Sequence, residues 1–431
     1  MPAPRLREGR LRGHDDENAI ALPASLLASS LAAEAPAYAP HMADLSCQTA
    51  GESHGPALTA LVNGLPAGLA VDVDFINAEL HRRQGGYGRG GRQRIESDSI
   101  DILAGVRRGV TTGAPIVMQI ANRDARLDDE VKTPAVHRPR PGHADLAGSV
   151  KWLTTDCRDT LERASARETA SRVAAGALAR CLLREFGIET FGFVRSIHTV
   201  ATDVVIDGDQ LDQWRTRRDA SEVYCPDEPA SAAMIEVIHR AKTEKDTVGG
   251  VVEAHIFGCP IGLGSCMNWQ EKLDARLAGA VMGIQAFKGV EIGLGFEATR
   301  RFGSEVHDPI HHDAARAFLP SLGFTRPTNN AGGLEGGMTN GMPIVVRGAM
   351  KPISTLLKGL PSVDLNTKKA EMSQYERSDI CAVSAASVVM EHVIAFEIAR
   401  ALREKFGGDS LIEMRANYNA FLDHARRLPL K

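Results

Sequence analysis

The feature of the sequence that most restricts the fold is a long predicted helix. A stiff loop rich in cations precedes it. Apolar residues at helical spacing predict the helix from Thr160 to Glu185: Val173, Ala174, Ala177, Leu178, Cys181 and Leu182. The preceding loop holds Arg138, Arg140 and His143 among two prolines and a glycine, which cannot continue a helix. We therefore expect two guanidinium groups and an imidazole to lie close together.

Polar donors gather at the N-terminal end of this helix, where Arg163, Ser165 and Arg167 occupy the first two turns. Free backbone amides, the positive end of the helix dipole and two arginines together favour a phosphate or another multiply charged anion. A capped, solvated helix start whose arginines form surface ion pairs explains the same residues. This stretch alone does not separate the two interpretations.

The whole chain carries 50 Lys and Arg against 54 Asp and Glu, a formal net charge of −4. This balance argues against a general nucleic-acid or membrane-surface binder, although arginines cluster locally. Its 431 residues, 43% of them hydrophobic, suffice for one large or two medium domains. Seven cysteines without a C-x-x-C pair indicate reduced thiols, so we expect a cytoplasmic protein without disulfides. No apolar run reaches the roughly 18 residues that span a bilayer.

The first 41 residues differ in composition from the rest. They combine a basic segment (5–12), an acidic segment (15–17) and a stretch rich in alanine and serine. Such a composition does not build a core, so we expect residues 1–41 to be an extension with little fixed structure. We place the folded domain at 42–431, with Met42 as a candidate start of translation.

Residues 82–94 contain five arginines and five glycines in the run RRQGGYGRGGRQR. Glycine lets the backbone approach a ligand closely, and arginine offers forked donors to phosphate or carboxylate. A disordered segment that binds RNA loosely is the alternative. Because the run has one aromatic residue and lies between a predicted helix (Phe75–Arg83) and a predicted strand (Ile100–Val106), we favour a small-anion site in a loop.

Three further segments have the composition of binding loops. His54 lies in a glycine-flanked turn, TAGESHGP, where a histidine is more often structural than catalytic. The run NNAGGLEGG is dense in glycine, and Gly336 and Gly337 are its expected ligand contacts. Residues 351–355 leave a predicted strand with an ammonium and two hydroxyl groups, which suits a phosphate tail.

We assign no function to two other sequence patterns. His307, His311 and His312 suggest metal ligands, but neighbouring aspartates make a solvated loop equally natural, and we predict no metal site. The G-x-G at Gly293 and Gly295 lacks the third glycine and the helix of a dinucleotide fingerprint.

Hydrophobic patterns predict the other main elements. Strands are expected at 114–121, 191–197, 248–258, 288–296 and 345–350, and helices at 234–245 and 273–287. The end of the long helix, LARCLLREFG, is similar to IARALREKFG at 398–407, and each helix follows a polar segment with arginine. This similarity suggests two related half-motifs that meet at one site, with Arg377 and Asp379 facing the ligand from the second half.

Eight segments occur in an order that is typical of one family. TAGESHGP, RRQGGYGRGGR, RPGHADLAG, LERASARET, GIQAFKGVEIG, NNAGGLEGGM, MKPISTL and ERSDICAV resemble the motif series of chorismate synthase. The resemblance implies a lyase of the shikimate pathway, in aromatic amino acid biosynthesis. Such an enzyme removes phosphate and a ring proton from 5-enolpyruvylshikimate 3-phosphate to give chorismate, and it requires reduced FMN although the reaction has no net redox change.

The resemblance also implies roles for residues. The catalytic residues would be His54, which protonates the departing phosphate, His143, which helps protonate the flavin, and Asp379, which orients or deprotonates flavin N5. The substrate-binding residues would be Arg83, Arg89, Arg92, Arg140 and Arg167. The cofactor-binding residues would be Arg83, Arg89, Arg163, Ala164, Ser165, Gln285, Ala286, Gly336, Lys351, Pro352, Ile353, Ser354, Thr355 and Arg377.

The implied fold is α+β, a single large domain with helices sandwiched between antiparallel sheets, in a homotetramer. No GxGxxG fingerprint supports an NADPH domain, although bifunctional relatives lack one too. We expect a monofunctional enzyme with a small-molecule substrate and a separate flavin reductase, and NADPH is a candidate source of the electrons. The competing hypothesis is a non-enzymatic RNA-binding module that uses residues 82–94 and binds RNA in a salt-dependent way.

Overall fold

Short strands alternate with helices of very different length in a computed structural model that describes residues 45–91, 95–376 and 379–430. The helices of this part of the chain are α1 (Val73–Gln84), α2 (Asp145–Lys151), α3 (Arg158–Arg163), α4 (Thr169–Arg184), α5 (Leu211–Ala220), α6 (Glu228–Thr243), α7 (Leu273–Met282), α8 (Gly303–Val306), α9 (Val383–Phe406) and α10 (Leu411–Arg426). The strands are β1 (Ser46–Ala50), β2 (Ala57–Asn63), β3 (Asp101–Ala104), β4 (Val106–Arg107), β5 (Val110–Thr111), β6 (Ile116–Ala121), β7 (Glu189–Ile197), β8 (Val200–Ala201), β9 (Gly250–Phe257), β10 (Phe287–Ile292), β11 (His311–His312), β12 (Phe324–Thr325), β13 (Leu334–Glu335), β14 (Met338–Thr339), β15 (Ile344–Met350), β16 (Pro361–Val363) and β17 (Ala370–Met372).

Two antiparallel sheets enclose the longest helices. One sheet has the strand order β1-β2-β6-β3 and the other the order β10-β15-β9-β7-β8. Helix α4 packs on β2 and β6 of the first sheet, α9 packs on β7 and β9 of the second, and the two helices pack on each other. The predicted α+β sandwich is confirmed.

Buried and partly exposed side chains alternate in the strands of the first sheet. In β2 the side chains of Leu58, Ala60 and Val62 are buried, and the residues between them are partly exposed. The pairing of β2 with β6 places Ala60 opposite Met118, which is also buried, so both strands present one apolar face to α4.

Helices α4 and α9 approach each other closely at a glycine. A Cβ atom built on Gly176 would lie 2.5 Å from Cβ of His392, which is closer than two non-bonded carbon atoms approach in proteins. Only glycine therefore fits at this point of α4. Both helices are buried on nearly all sides, which explains why alanine dominates α4.

The predicted continuous helix from Thr160 to Glu185 is wrong, because the structure breaks it into α3, a 3₁₀ turn (Ala166–Glu168) and α4. Ser165 has an extended backbone (φ −63°, ψ 142°), and its hydroxyl accepts the N–H of Arg167 at 3.3 Å. Serine often favours such a local cap over a helix interior. The break separates these residues from α4: Arg163 ends α3, Ser165 lies in the link, and Arg167 lies in the 3₁₀ turn.

Helix α7 ends earlier than the predicted boundary at 287. It stops at Met282, Ala286 adopts a positive φ of 70°, and Phe287 already opens β10. The strand predicted for 288–296 ends at Ile292, where a glycine-rich turn leads into a 3₁₀ helix. Residues 1–41, Arg92 and Arg377 lie outside the described residues. Within the described residues, no helix combines the length and apolarity that a membrane span requires.

Candidate active site

The predicted site residues lie on loops that leave α1, β1, α3 and β15. His54 follows β1, Arg83 ends α1, Arg163 ends α3, and Lys351 follows β15 directly. The turn with His54 is fastened to α3, because the N–H of Ser53 donates to the carbonyl of Glu162 at 3.1 Å. Loops distant in sequence therefore come together here.

His54 is held on one side by a buried carboxylate. Its Nδ1 lies 2.9 Å from Oε2 of Glu162, and its backbone N–H donates to the same oxygen at 2.8 Å. Burial would raise the pKa of Glu162, but the hydrogen bonds from His54 and Arg158 hold it below its ordinary value. The ionised carboxylate accepts Nδ1–H, which leaves Nε2 beside Arg126 at 3.3 Å and Asp124 at 3.7 Å.

Arg83 and Arg167 share the carboxylate of Asp98. The Nη2 of Arg83 lies 2.8 Å from Asp98, and the Nη1 of Arg167 lies 2.7 Å from it. Burial lowers the pKa of Arg83 to about 10, so its guanidinium remains charged at neutral pH. Burial would raise the pKa of Asp98, but the two arginines keep it lowered. Asp98 is thus shared by two buried guanidinium groups, and Glu96 lies 3.7 Å from Arg167 as a second carboxylate.

Three of the predicted arginines retain an unused donor. Among the described residues, Nε of Arg83, Nε of Arg89 and Nη2 of Arg167 are buried and have no hydrogen-bond partner. A buried donor without a partner costs free energy, so such a group usually marks a site for a ligand or water. The surplus of donors fits an anion.

Arg140 and His143 form a second cluster around Asp145. Arg140 donates to Asp145 through Nε at 2.8 Å and to the hydroxyl of Thr355 through Nη1 at 3.0 Å. The Nδ1 of His143 also bonds Asp145, and these partners hold the pKa of this carboxyl well below its usual range despite burial. Arg140 therefore joins the loop of His143 to the segment after β15.

The segment from Arg163 to Ser165 is bound to the end of β1. Arg163 donates to the carbonyl oxygens of Thr49 and Gly51 at 2.9 and 3.0 Å, and Ser165 donates to the hydroxyl of Ser53 at 3.2 Å. Ala164 lies between them as the C-cap of α3. This part of the predicted cofactor site is therefore adjacent to the turn that carries His54.

Gln285 and Ala286 reach the same region from α7. The amide nitrogen of Gln285 donates to Glu168 at 3.0 Å, and the hydroxyl of Thr49 donates to the same carboxylate at 2.6 Å. The carbonyl of Ala286 accepts the N–H of Lys351 at 3.0 Å. The Oε1 atom of Gln285 is buried without a hydrogen-bond partner among the described residues.

Lys351 forms no ion pair with a carboxylate of the described residues. Burial and the neighbouring ammonium of Lys288 both lower the pKa of Lys351. A Cβ built on Gly142, in the loop of His143, would lie 3.5 Å from Ser354 and 3.7 Å from Nζ of Lys351. Pro352 and Ile353 complete this segment, and the carbonyl of Ile353 accepts the hydroxyl of Thr247 at 2.7 Å. Two ammonium groups beside one loop favour an anion.

Asp379 and Arg89 connect the last part of the site to the glycine loop after α1. The Nη1 of Arg89 lies 2.9 Å from Asp379, and the N–H of Gly90 donates to the same side chain at 2.6 Å. A cavity of about 460 Å³ opens beside Arg89, with Tyr87, Lys242 and Ile380 in its wall. Asp379 therefore lies beside the glycine loop of the candidate site.

Among the described residues, no hydrogen bond links Gly336 to the other predicted cofactor residues. It lies in the turn between β13 and β14 and lines a cavity of about 500 Å³ with Asn330 and Asp308. The carboxylates that orient the site were missed by the sequence reasoning: Asp98, Asp145, Glu162 and Glu168. An acid two residues after His143 was the only local signal.

The chain is similar in sequence and in structure to proteins of one family. The family model for chorismate synthase matches residues 45–402 of this chain. A chorismate synthase from Desulforamulus reducens is 53% identical over 393 residues, which covers 88% of this chain and 99% of the relative. A chorismate synthase from Geobacter metallireducens is 52% identical over 391 residues, with 88% and 98% covered.

The chain belongs to the chorismate synthase family. A crystal structure of chorismate synthase superposes with a TM-score of 0.72 at 40% identity, covering 89% of this chain and 98% of the other. The chain is therefore an enzyme of the lyase class, as the resemblance predicted, and the comparisons give no support to the RNA-binding alternative.

Proposed function

We propose that the chain converts 5-enolpyruvylshikimate 3-phosphate to chorismate by 1,4-elimination of phosphate and a ring proton. The match of the chorismate synthase model to residues 45–402 carries this proposal, because it spans every loop of the candidate site. The small-molecule substrate follows from the family.

The charges of the site support this substrate. A phosphate of about −1.5 to −2 and two carboxylates give the substrate close to four negative charges. The unused donors of Arg83, Arg89 and Arg167 lie in buried positions, where a hydrogen bond to an anion is strongest. Arg92 would add a further guanidinium. Arg140 has its donors engaged with Asp145 and Thr355, so it would act on the substrate from within that cluster.

His54 would protonate the departing phosphate. Glu162 accepts Nδ1–H and so fixes the ring. His54 would therefore act as the acid in its imidazolium form, which gives up the proton on Nε2 and becomes the neutral ring. The guanidinium of Arg126 beside Nε2 would help to hold the phosphate oxygen at this position.

The residues that follow α7 and β15 fit FMN. Lys351 and Lys288 favour its phosphate, and the unpaired Oε1 of Gln285 can accept an N–H. Arg163, Ser165 and Arg377 would complete the site with the hydroxyls of Ser354 and Thr355. Reduced FMN, when bound, would contribute the electron density and the basic nitrogen that the elimination needs.

His143 and Asp379 would control protons at this cofactor. Asp145 orients the ring of His143 through Nδ1, and Gly142 brings the loop against Ser354. Asp379 is positioned by Arg89 and the N–H of Gly90, so its carboxylate would orient the cofactor nitrogen. We also infer a cytoplasmic homotetramer that depends on a separate flavin reductase, with residues 1–41 as an extension outside the catalytic unit.

The decisive experiment is an anaerobic assay with chemically reduced FMN and 5-enolpyruvylshikimate 3-phosphate. We expect chorismate to form and the absorbance of the bound flavin to change only when both ligands are present. NADPH without a flavin reductase should not support turnover. Absence of both turnover and the absorbance change, together with salt-dependent binding of an RNA oligonucleotide, would favour the alternative function.

Replacement of Arg89 with alanine should raise the substrate KM by about 10- to 100-fold, because a charge-assisted hydrogen bond is lost. FMN affinity should fall less than substrate affinity, because Arg89 is only one of many implied cofactor contacts. Lysine at this position should restore only part of the affinity, since an ammonium cannot make a forked contact.

Steady-state kinetics and FMN titration of Arg89→Ala and Arg89→Lys test this division of roles. Arg300→Ala is the matched control, because Arg300 is exposed and pairs only with Glu297 in the described structure. Equal losses of FMN and substrate binding in Arg89→Ala would contradict the assignment.

A further inference from the structure

Two neighbouring arginines at the end of α1 contact different parts of the molecule. Arg83 pairs with Asp98 in the candidate site, whereas Arg82 pairs with Glu79 and with Glu391 of α9. The side chain of Glu391 has no solvent exposure. The proposed mechanism uses Arg83 but gives no role to Arg82 or to its partners.

Glu391 is the centre of a buried ionic network. Its carboxylate lies 2.6 Å from Nη2 of Arg82, 3.2 Å from Arg180 and 3.6 Å from Arg218, and it accepts the hydroxyl of Thr190 at 2.8 Å. Burial would raise the pKa of Glu391, but the three arginines keep it well below its ordinary value. One carboxylate thus joins α1, α4, α5, α9 and β7.

The glycine loop that carries Arg89 begins shortly after Arg82, and the backbone of Arg82 holds its first residues. Its carbonyl accepts the N–H of Gly85 at 3.1 Å and the hydroxyl of Tyr224 at 2.8 Å. A side chain on Gly85 would collide with that hydroxyl. Further along, the N–H of Tyr87 donates to the carbonyl of Glu222 at 2.7 Å.

The far end of this loop is fixed beside α9. The carbonyl of Gly88 accepts the N–H of Ile380 at 2.9 Å, and Gly90 and Arg89 both bind Asp379. Arg83 directly follows Arg82, so a shift of the backbone at Arg82 would displace Arg83. The same shift would weaken the hydrogen bond from Gly85 to Arg82 and so loosen the near end of the loop that carries Arg89.

We propose that Glu391 is a positioning residue for the elimination, acting through Arg82 to fix the last turn of α1 and thereby the guanidinium groups of Arg83 and Arg89. This inference rests on the proposed function, which assigns both arginines to the substrate. A neutral side chain at 391 removes the carboxylate that Arg82, Arg180 and Arg218 share. Glu79 still pairs with Arg82 and Arg180, so we expect Arg82 to shift toward Glu79. The loss of this charge should weaken substrate binding more than it slows proton transfer from His54.

Glu391→Gln tests the proposal, because it removes the charge and nearly retains the shape. We expect the substrate KM to rise about 10-fold, while kcat at saturating substrate changes less than about 2-fold. Glu397→Gln is the matched control, since Glu397 lies on the same helix and pairs with Arg276, 3.2 Å away. The control should lower the melting temperature without changing KM, and an equal rise of KM in both variants would overturn the proposal.

A double-mutant cycle tests the path of the effect. If Glu391 acts through Arg82, the KM of Arg82→Met/Glu391→Gln should equal that of Arg82→Met alone, and additive effects would overturn the proposal. If Glu391→Gln does not fold, Glu391→Asp retains the charge on a shorter side chain and should show a smaller rise in KM. An unchanged KM in Glu391→Asp would then overturn it.

Hydrogen–deuterium exchange separates this inference from the proposed function. In Glu391→Gln the amides of Gly85, Tyr87 and Gly90 should exchange faster than in the wild type, and in Glu397→Gln they should not. Unchanged exchange would overturn the inference without any assay of turnover. An inactive wild-type enzyme would instead contradict the proposed function alone.

Discussion

His54→Ala should lower turnover by about 10²- to 10⁴-fold while substrate still binds, which is the usual effect of removing a placed proton donor. The imidazole is mostly buried, and its Nδ1 is fixed by Glu162, so the ring cannot turn away from the phosphate site. Because the pKa of Glu162 is lowered, this carboxylate stays ionised throughout the neutral range and Nε2 remains the exchangeable position.

Single-turnover rates, substrate affinity and melting temperature of His54→Ala separate catalysis from stability. Glu162→Gln should give a smaller loss of rate, because the ring keeps a hydrogen-bond partner but loses its fixed tautomer. His198→Ala is a control at an exposed histidine whose only described side-chain partner is Thr199. A normal single-turnover rate per folded molecule of His54→Ala would refute the role of this histidine.

The elements that follow a simple period could be predicted from the sequence. The apolar run 114–121 located β6, and helical spacing located α1 within about two residues of its observed ends. The break before α4 could not be predicted this way, because the run RASAR has good helix propensity. It depends on Ser165, whose hydroxyl caps Arg167 and contacts Ser53, and the second contact exists only in the folded chain.

The cations of the candidate site could be predicted, but their partners could not. Arginines that lie among glycines and prolines, such as Arg89 and Arg140, are easy to recognise in a sequence. Acidic residues occur throughout the chain, and Asp98 lies in the ordinary segment ESDSID. Its importance comes from tertiary contacts that join α1 to the loop before α4, and such contacts leave no local pattern in a single sequence.

Asp98→Ala should lower the free energy of unfolding by about 3–5 kcal/mol at neutral pH. It leaves the buried guanidinium of Arg83 without its carboxylate partner, and Arg167 keeps only Glu96, 3.7 Å away. The side chain of Asp98 has no solvent exposure, so solvent does not screen the repulsion between Arg83 and Arg167. Asp98→Asn keeps the shape and one acceptor, and it separates the loss of charge from the loss of volume.

Urea unfolding of both Asp98 variants should be compared with Asp203→Ala, which breaks an exposed pair with Arg195 and should change stability by less than about 1 kcal/mol. The pKa of Asp98 is lowered in the folded state, so its contribution is present above the unfolded pKa of about 3.9. It is lost as pH falls through the folded pKa. The difference between wild type and Asp98→Asn should therefore shrink below about pH 4, and a difference that does not change with pH would show that charge is not the cause.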